Sequence, residues 1–188
     1  MKKLLVSIGL IFLFLAGSTP VKAVEINKND FDYEIVYQDE EITVGSFGNN
    51  EDFAKVLENS PTSITVSSEN INQDDSNSGI VPFKTVSGPG GVVTLDSSDN
   101  KRTIYWTVKP STAWPWIFEG NLELQYFSGY RRNVDLTGAG VLGSYTGGFV
   151  ELNAHKGGTA RLTGTAYDLR GDKFTVVPQA ALPFLPSN

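Results

Sequence analysis

The chain has 188 residues, no cysteine and one histidine, with 21 acidic against 15 basic residues and a net charge of −6. The missing cysteine excludes a disulfide framework, a thiol nucleophile, a Cys-ligated zinc and a lipid-modified cysteine. The acidic balance argues against nucleic acid as a partner, since phosphate binding needs clustered Lys and Arg, whereas 40% hydrophobic and 11% aromatic residues belong to a folded chain.

In chain order, residues 1–23 read as an export signal. Lys2 and Lys3 supply a positive start, an uncharged apolar run follows to Ala16, and Ser18, Thr19 and Pro20 break it before Val21-Lys22-Ala23. The run falls inside the ~7–15 residues of a signal core and short of the ~20 that span a bilayer. Cleavage after Ala23 gives a mature chain that works outside the cytoplasm, with no stable membrane span. A cysteine-free exported protein suits a Gram-positive-like secretome.

Charge divides the mature chain. Residues 24–80 carry thirteen acids against Lys28 and Lys55, whereas residues 81–188 carry eight acids and ten bases. The first part is expected to be an acidic α+β segment. Strands are expected over 31–37 and 41–45, around an acidic turn at Asp39 and Glu40. A helix over 50–58 is capped by Asn49 or Asn50, has Glu51 and Asp52 in its first turn and presents Phe53, Val56 and Leu57 on one face. Pro61 stops it, 63–67 resumes extended chain, and the polar run 69–79 is a linker or long loop.

The second part reads as β throughout. Ile104, Trp106 and Val108 alternate with Thr103, Tyr105 and Thr107. Over 118–127, Phe118, Leu122, Leu124 and Tyr126 face one way, with Glu119, Asn121, Glu123 and Gln125 facing the other. Further strands are expected at 81–86, 91–95, 131–136, 149–154, 159–167 and 173–177, separated by Gly- and Asp-rich turns. Short, half-polar strands at regular spacing predict a mainly β fold: an antiparallel β-sandwich, or a barrel-like closure, over 81–188.

The stretch 116–178 carries Phe-Glu-Gly-Asn-Leu-Glu-Leu, Leu-Thr-Gly-Ala-Gly, Ala-Arg-Leu-Thr-Gly-Thr-Ala-Tyr-Asp and Gly-Asp-Lys-Phe-Thr-Val-Val-Pro in that order. It resembles small exported proteins of Gram-positive bacteria that form a family of unknown function. Its marks are glycines and apolar residues, so the resemblance implies compartment and β fold and no activity.

Chemical signals are few. Trp106, Trp114 and Trp116 lie within eleven residues, and Tyr105, Tyr126 and Tyr130 could extend them into a platform for sugar rings. The competing reading is core packing, which the alternation favours for Trp106; the bend Trp114-Pro115-Trp116 is where a ring would be exposed. The tentative ligand-binding residues are therefore Trp114, Trp116, Tyr105 and Tyr130. His155 reads as a solvated loop residue, and no Gly-x-Ser-x-Gly elbow occurs. Glu119 and Glu123 share a strand face about 13 Å apart, too far for the carboxylate pair of a glycosidase. An EF-hand count from Asp74 ends on Thr85, so that calcium loop fails. Of Arg131 and Arg132, one is expected in solvent and one packed across a sheet edge, and Arg170-Gly171-Asp172 reads as a hairpin turn.

The sequence thus predicts a secreted, non-enzymatic protein that binds an extracellular protein or glycan without cofactor or metal. A carbohydrate-binding module with an aromatic platform is the alternative; a hydrolase is the least supported of the three.

Overall fold

The structure, a computed structural model, describes residues 26–68, 90–112, 115–153, 157–169 and 174–184. The expected export signal, the polar run 69–79, the strand 81–86, Trp114, His155 and the turn 170–172 lie outside those residues.

Among the described residues, eleven strands form two antiparallel sheets packed face to face, a β-sandwich, with one α-helix outside the sheets. The first sheet has the order β1 (Glu34–Gln38), β2 (Ile42–Gly48), β8 (Thr146–Leu152), β5 (Thr103–Pro110), β4 (Gly91–Ser97), β3 (Ile64–Ser67). The second runs β10 (Phe174–Val176), β9 (Gly158–Asp168), β6 (Trp116–Tyr126), β7 (Arg131–Gly140), with β11 (Ala180–Phe184) also paired to β9. Among the described residues the sheets keep free edges and do not close into a barrel. The sequence left open whether the acidic segment has a core of its own. Its strands β1, β2 and β3 all belong to the first sheet, and Ile42 and Val44 share one apolar cluster with Trp106, Leu122 and Leu162.

Alternation explains the second sheet. Phe118, Leu122, Leu124 and Tyr126 are buried against the first sheet, while Glu119 and Gln125 stand in solvent. Gly120 and Gly164 face each other across β6 and β9, and the Phe118 ring lies over both. A Cβ on either would come within 2.3 or 2.4 Å of that ring, so glycine here makes room for an aromatic core residue.

The central strands of the first sheet are covered on both faces. Its inner face contributes Val44, Val150, Ile104, Trp106 and Leu95. On its outer face lies α1 (Glu51–Glu58), whose N-terminus is capped by Asn50: the side-chain oxygen accepts from the Phe53 N–H at 2.9 Å. Phe53 and Leu57 of α1 pack on Phe47, Tyr105 and Phe149, and Ile26 joins them from the N-terminal side. The turn after α1 is tied down by Asp96 of β4, which accepts from the hydroxyls of Ser60 and Thr62.

The two long sides of the sandwich differ. On one, β11 lies against β3 and β4 and buries Ala180, Leu182 and Phe184. On the other, β1 of the first sheet and β7 of the second are both edge strands, and a groove lies between them.

Candidate binding groove

The open side is built from a turn, a bulge and an inward-pointing arginine. Asp39 closes the β1–β2 turn. Its Oδ1 accepts from the N–H groups of Glu41 at 2.8 Å and Ile42 at 2.9 Å, and its Oδ2 accepts from the Tyr37 hydroxyl at 2.8 Å. Asn153 holds the same turn from the β8 side, its side-chain amide donating to the Asp39 carbonyl at 3.0 Å.

A register shift between Ile35 and Tyr37 leaves Val36 as the extra residue of β1. In a regular strand, neighbouring side chains point to opposite faces; a bulge breaks that rule. Val36 and Tyr37 consequently both border a groove of about 380 Å³, with Ile42, Val44 and Val134 as apolar lining. All five residues of β1 are exposed, Val36 at 56% and Tyr37 at 50%.

On the facing strand, alternation sends Arg131 outward and Arg132 inward, as expected for one solvated and one packed arginine. Arg132 sits on the same inner row as Leu124. At the sheet edge it reaches across to the other sheet, donating through Nη1 to Glu41 Oε2 at 2.9 Å and through Nη2 to Asp39 Oδ2. These ion pairs join the two sheets at one end of the groove. The Arg132 hydrogen bond, with the Ile42 and Glu41 N–H groups, holds the Asp39 carboxyl well below the usual carboxylate range. Burial pulls the Arg132 pKa down, but its bonds to Asp39 and Glu41 outweigh this and raise it overall. The bond to Asp39 likewise raises the Tyr37 hydroxyl. Tyr126, buried beside the cluster, is pushed up to about 12 by desolvation and then by the Glu41 charge.

The four ring positions singled out from sequence separate. Trp116 is core, 0% exposed, with its indole N–H donating to the Val141 carbonyl at 3.1 Å. Tyr105 is 2% exposed under α1, with its hydroxyl donating to the Ile26 carbonyl at 3.0 Å. Neither ring can stack on a sugar. This corrects the expectation for both: a second layer of structure covers Tyr105, and the sandwich interior takes Trp116. Tyr130 is 47% exposed and stacks on Tyr126, centroids 5.7 Å apart, near the Arg132 end of the groove. Trp114 lies outside the described residues. Trp106 is buried, as its alternation requires.

Val36, Tyr37 and Arg132 were not singled out as a site, although a signal existed. Ile35-Val36-Tyr37 breaks strict alternation, which in an edge strand marks a bulge. A second depression, about 420 Å³, lies on the outer face of the second sheet among Glu119, Asn121, Asp135, Thr137 and Thr163. Among the described residues no group of three or more His, Asp or Glu side chains is placed to hold a metal ion, and no helix is long and apolar enough to cross a membrane.

No protein-family model, curated protein sequence or solved structure matches this chain.

Proposed function

We propose that the protein is an exported, non-enzymatic binding protein that holds an extracellular partner at the open side of its sandwich, between β1 and β7. The observation that carries this reading is β1 itself. It is a strand exposed along its whole length, bearing Ile35, Val36 and Tyr37, beside a groove with an apolar lining. Exposed apolar surface next to a preformed concavity is costly in water unless something covers it. The signal-like residues 1–23 support export, and the resemblance of 116–178 to small exported Gram-positive proteins points to the same compartment.

The shifted groups among the described residues fit a binding surface. Asp39 moves down, Arg132 and Tyr37 move up, and Tyr126 rises to about 12. Each shift leads away from neutrality, where a general acid or base works best. No cofactor enters this reading.

Carbohydrate binding is the second reading. It is favoured by the hydroxyl, amide and carboxylate groups of the depression around Asn121 and Thr163. One experiment separates the two: a photoreactive phenylalanine derivative placed at Val36 or, in a second protein, at Thr163, with each mature protein irradiated on the surface of the producing cells. Adducts from Val36 are expected. Adducts from Thr163 alone would replace the groove by the outer face of the second sheet.

A further inference from the structure

We infer that the partner at the open side is an extended cationic polypeptide segment, which pairs with β1 as an added strand. This rests on the proposed binding role and specifies its chemistry. β1 ends the first sheet, so the backbone N–H and C=O groups on its outer edge have no strand beside them among the described residues. Edge strands are usually blunted by Lys, Pro or a bulge. β1 contains neither Lys nor Pro, and its bulge turns Val36 and Tyr37 toward the groove. Backbone pairing supplies affinity in strand addition, and pockets for alternate side chains supply specificity. Apolar side chains of an added strand would cover Val36 and Tyr37 and close the mouth of the groove.

Charge selects the sign of the partner. Between residues 30 and 41 the chain carries Asp30, Asp32, Glu34, Asp39, Glu40 and Glu41 and no Lys or Arg. The groove borders this acidic stretch at Val36 and Tyr37. Arg132, the cation that lines it, is already engaged by Asp39 and Glu41. A second copy of this chain would bring the same acids edge to edge, and like charges across a strand pair are destabilising. A segment that alternates Lys or Arg with Val, Ile or aromatic residues satisfies both the backbone edge and the acidic field.

The test uses three peptides of about nine residues, enough to overlap the edge: alternating Lys and Val, alternating Glu and Val, and the Lys-Val peptide N-methylated along one edge. Each is titrated into the isotopically labelled mature protein, with amide hydrogen exchange and binding as readouts. The Lys-Val peptide should slow exchange in β1 and bind more weakly as salt rises. Both other peptides should bind about tenfold more weakly or worse. The doubly substituted variant Glu34→Lys, Glu40→Lys alters only exposed side chains and should narrow the preference for the Lys-Val over the Glu-Val peptide severalfold.

Equal binding of the acidic peptide overturns the charge argument, and equal binding of the N-methylated one overturns strand addition. Self-association of the protein through β1 overturns the choice of partner. If Val36 photo-adducts form on cells yet the Lys-Val peptide leaves β1 exchange unchanged, the groove stands and the cationic strand falls. Adducts from Thr163 alone remove the groove as well.

Discussion

The two long sides of this sandwich close in different ways. At β11 the closure is apolar: Ala180, Leu182 and Phe184 are buried, and Phe184 meets Tyr126 edge-on at 5.7 Å. At β1 and β7 it is ionic, with Arg132 reaching between sheets to Asp39 and Glu41, and a groove remains alongside. Apolar closure is non-directional and excludes water along its length. Ionic closure acts at one point, leaves backbone edges available beside it, and weakens with salt and acid. One side therefore supports the fold, and the other is the side at which we propose a partner binds.

The largest expected effect lies on the closed side. Phe184→Ala should cost about 3–5 kcal/mol, the range for removing a buried phenylalanine ring; urea unfolding that changes by under about 1 kcal/mol would mean β11 is dispensable. Next comes the interior that both sides share. Gly164→Ala pushes a methyl group into the Phe118 ring and should cost about 1–3 kcal/mol by overpacking, an effect that Phe118→Leu in the same chain should partly relieve. A double-mutant cycle measures that coupling.

On the open side, Arg132→Met keeps the aliphatic stem and removes the charge. It should cost about 1 kcal/mol and lose most of its effect in high salt, because the pair is only partly buried. Salt-independent destabilisation would show that Arg132 acts through packing. Asp39 has its pKa lowered in the fold, so its contribution is present above the unfolded value of about 3.9 and is lost as pH falls below it. Asp39→Asn should accordingly flatten the fall in stability below about pH 4 and lower stability at neutrality, read as melting temperature against pH. The smallest effect is that of Val36→Ser, expected within about 0.5 kcal/mol because the side chain is exposed. A large loss there would make the groove part of the core.

Legibility in the sequence followed solvent. β6 was readable from Phe118 onward because its outer face is wet, so apolar and polar residues alternate; Phe118, Leu122, Leu124 and Tyr126 were found as its buried row, whereas Trp116 at its start was placed in a bend. α1 was readable from its Asn50 cap, acidic first turn and apolar spacing. β5 alternates as well, but both its faces are covered, and Tyr105 on the face that looked available is buried beneath α1. β11 was missed: Ala-Ala-Leu-Pro-Phe has no polar alternation, and its Pro183 argues against a strand interior. Its place at the edge of β9 makes the proline tolerable. The groove escaped because its two walls, β1 and β7, are nearly a hundred residues apart.

By itself the sequence determined the local elements: where strands alternate, where glycines and aspartates turn the chain, where a helix is capped. These depend on backbone geometry and on side chains a few residues apart, which any short window contains. Only the tertiary structure decided that the acidic N-terminal strands complete the first sheet, that Trp116 and Tyr105 are interior, and that Arg132 meets Asp39 and Glu41. Those outcomes depend on which faces are paired over long separations, and burial is a property of the pair rather than of either strand alone.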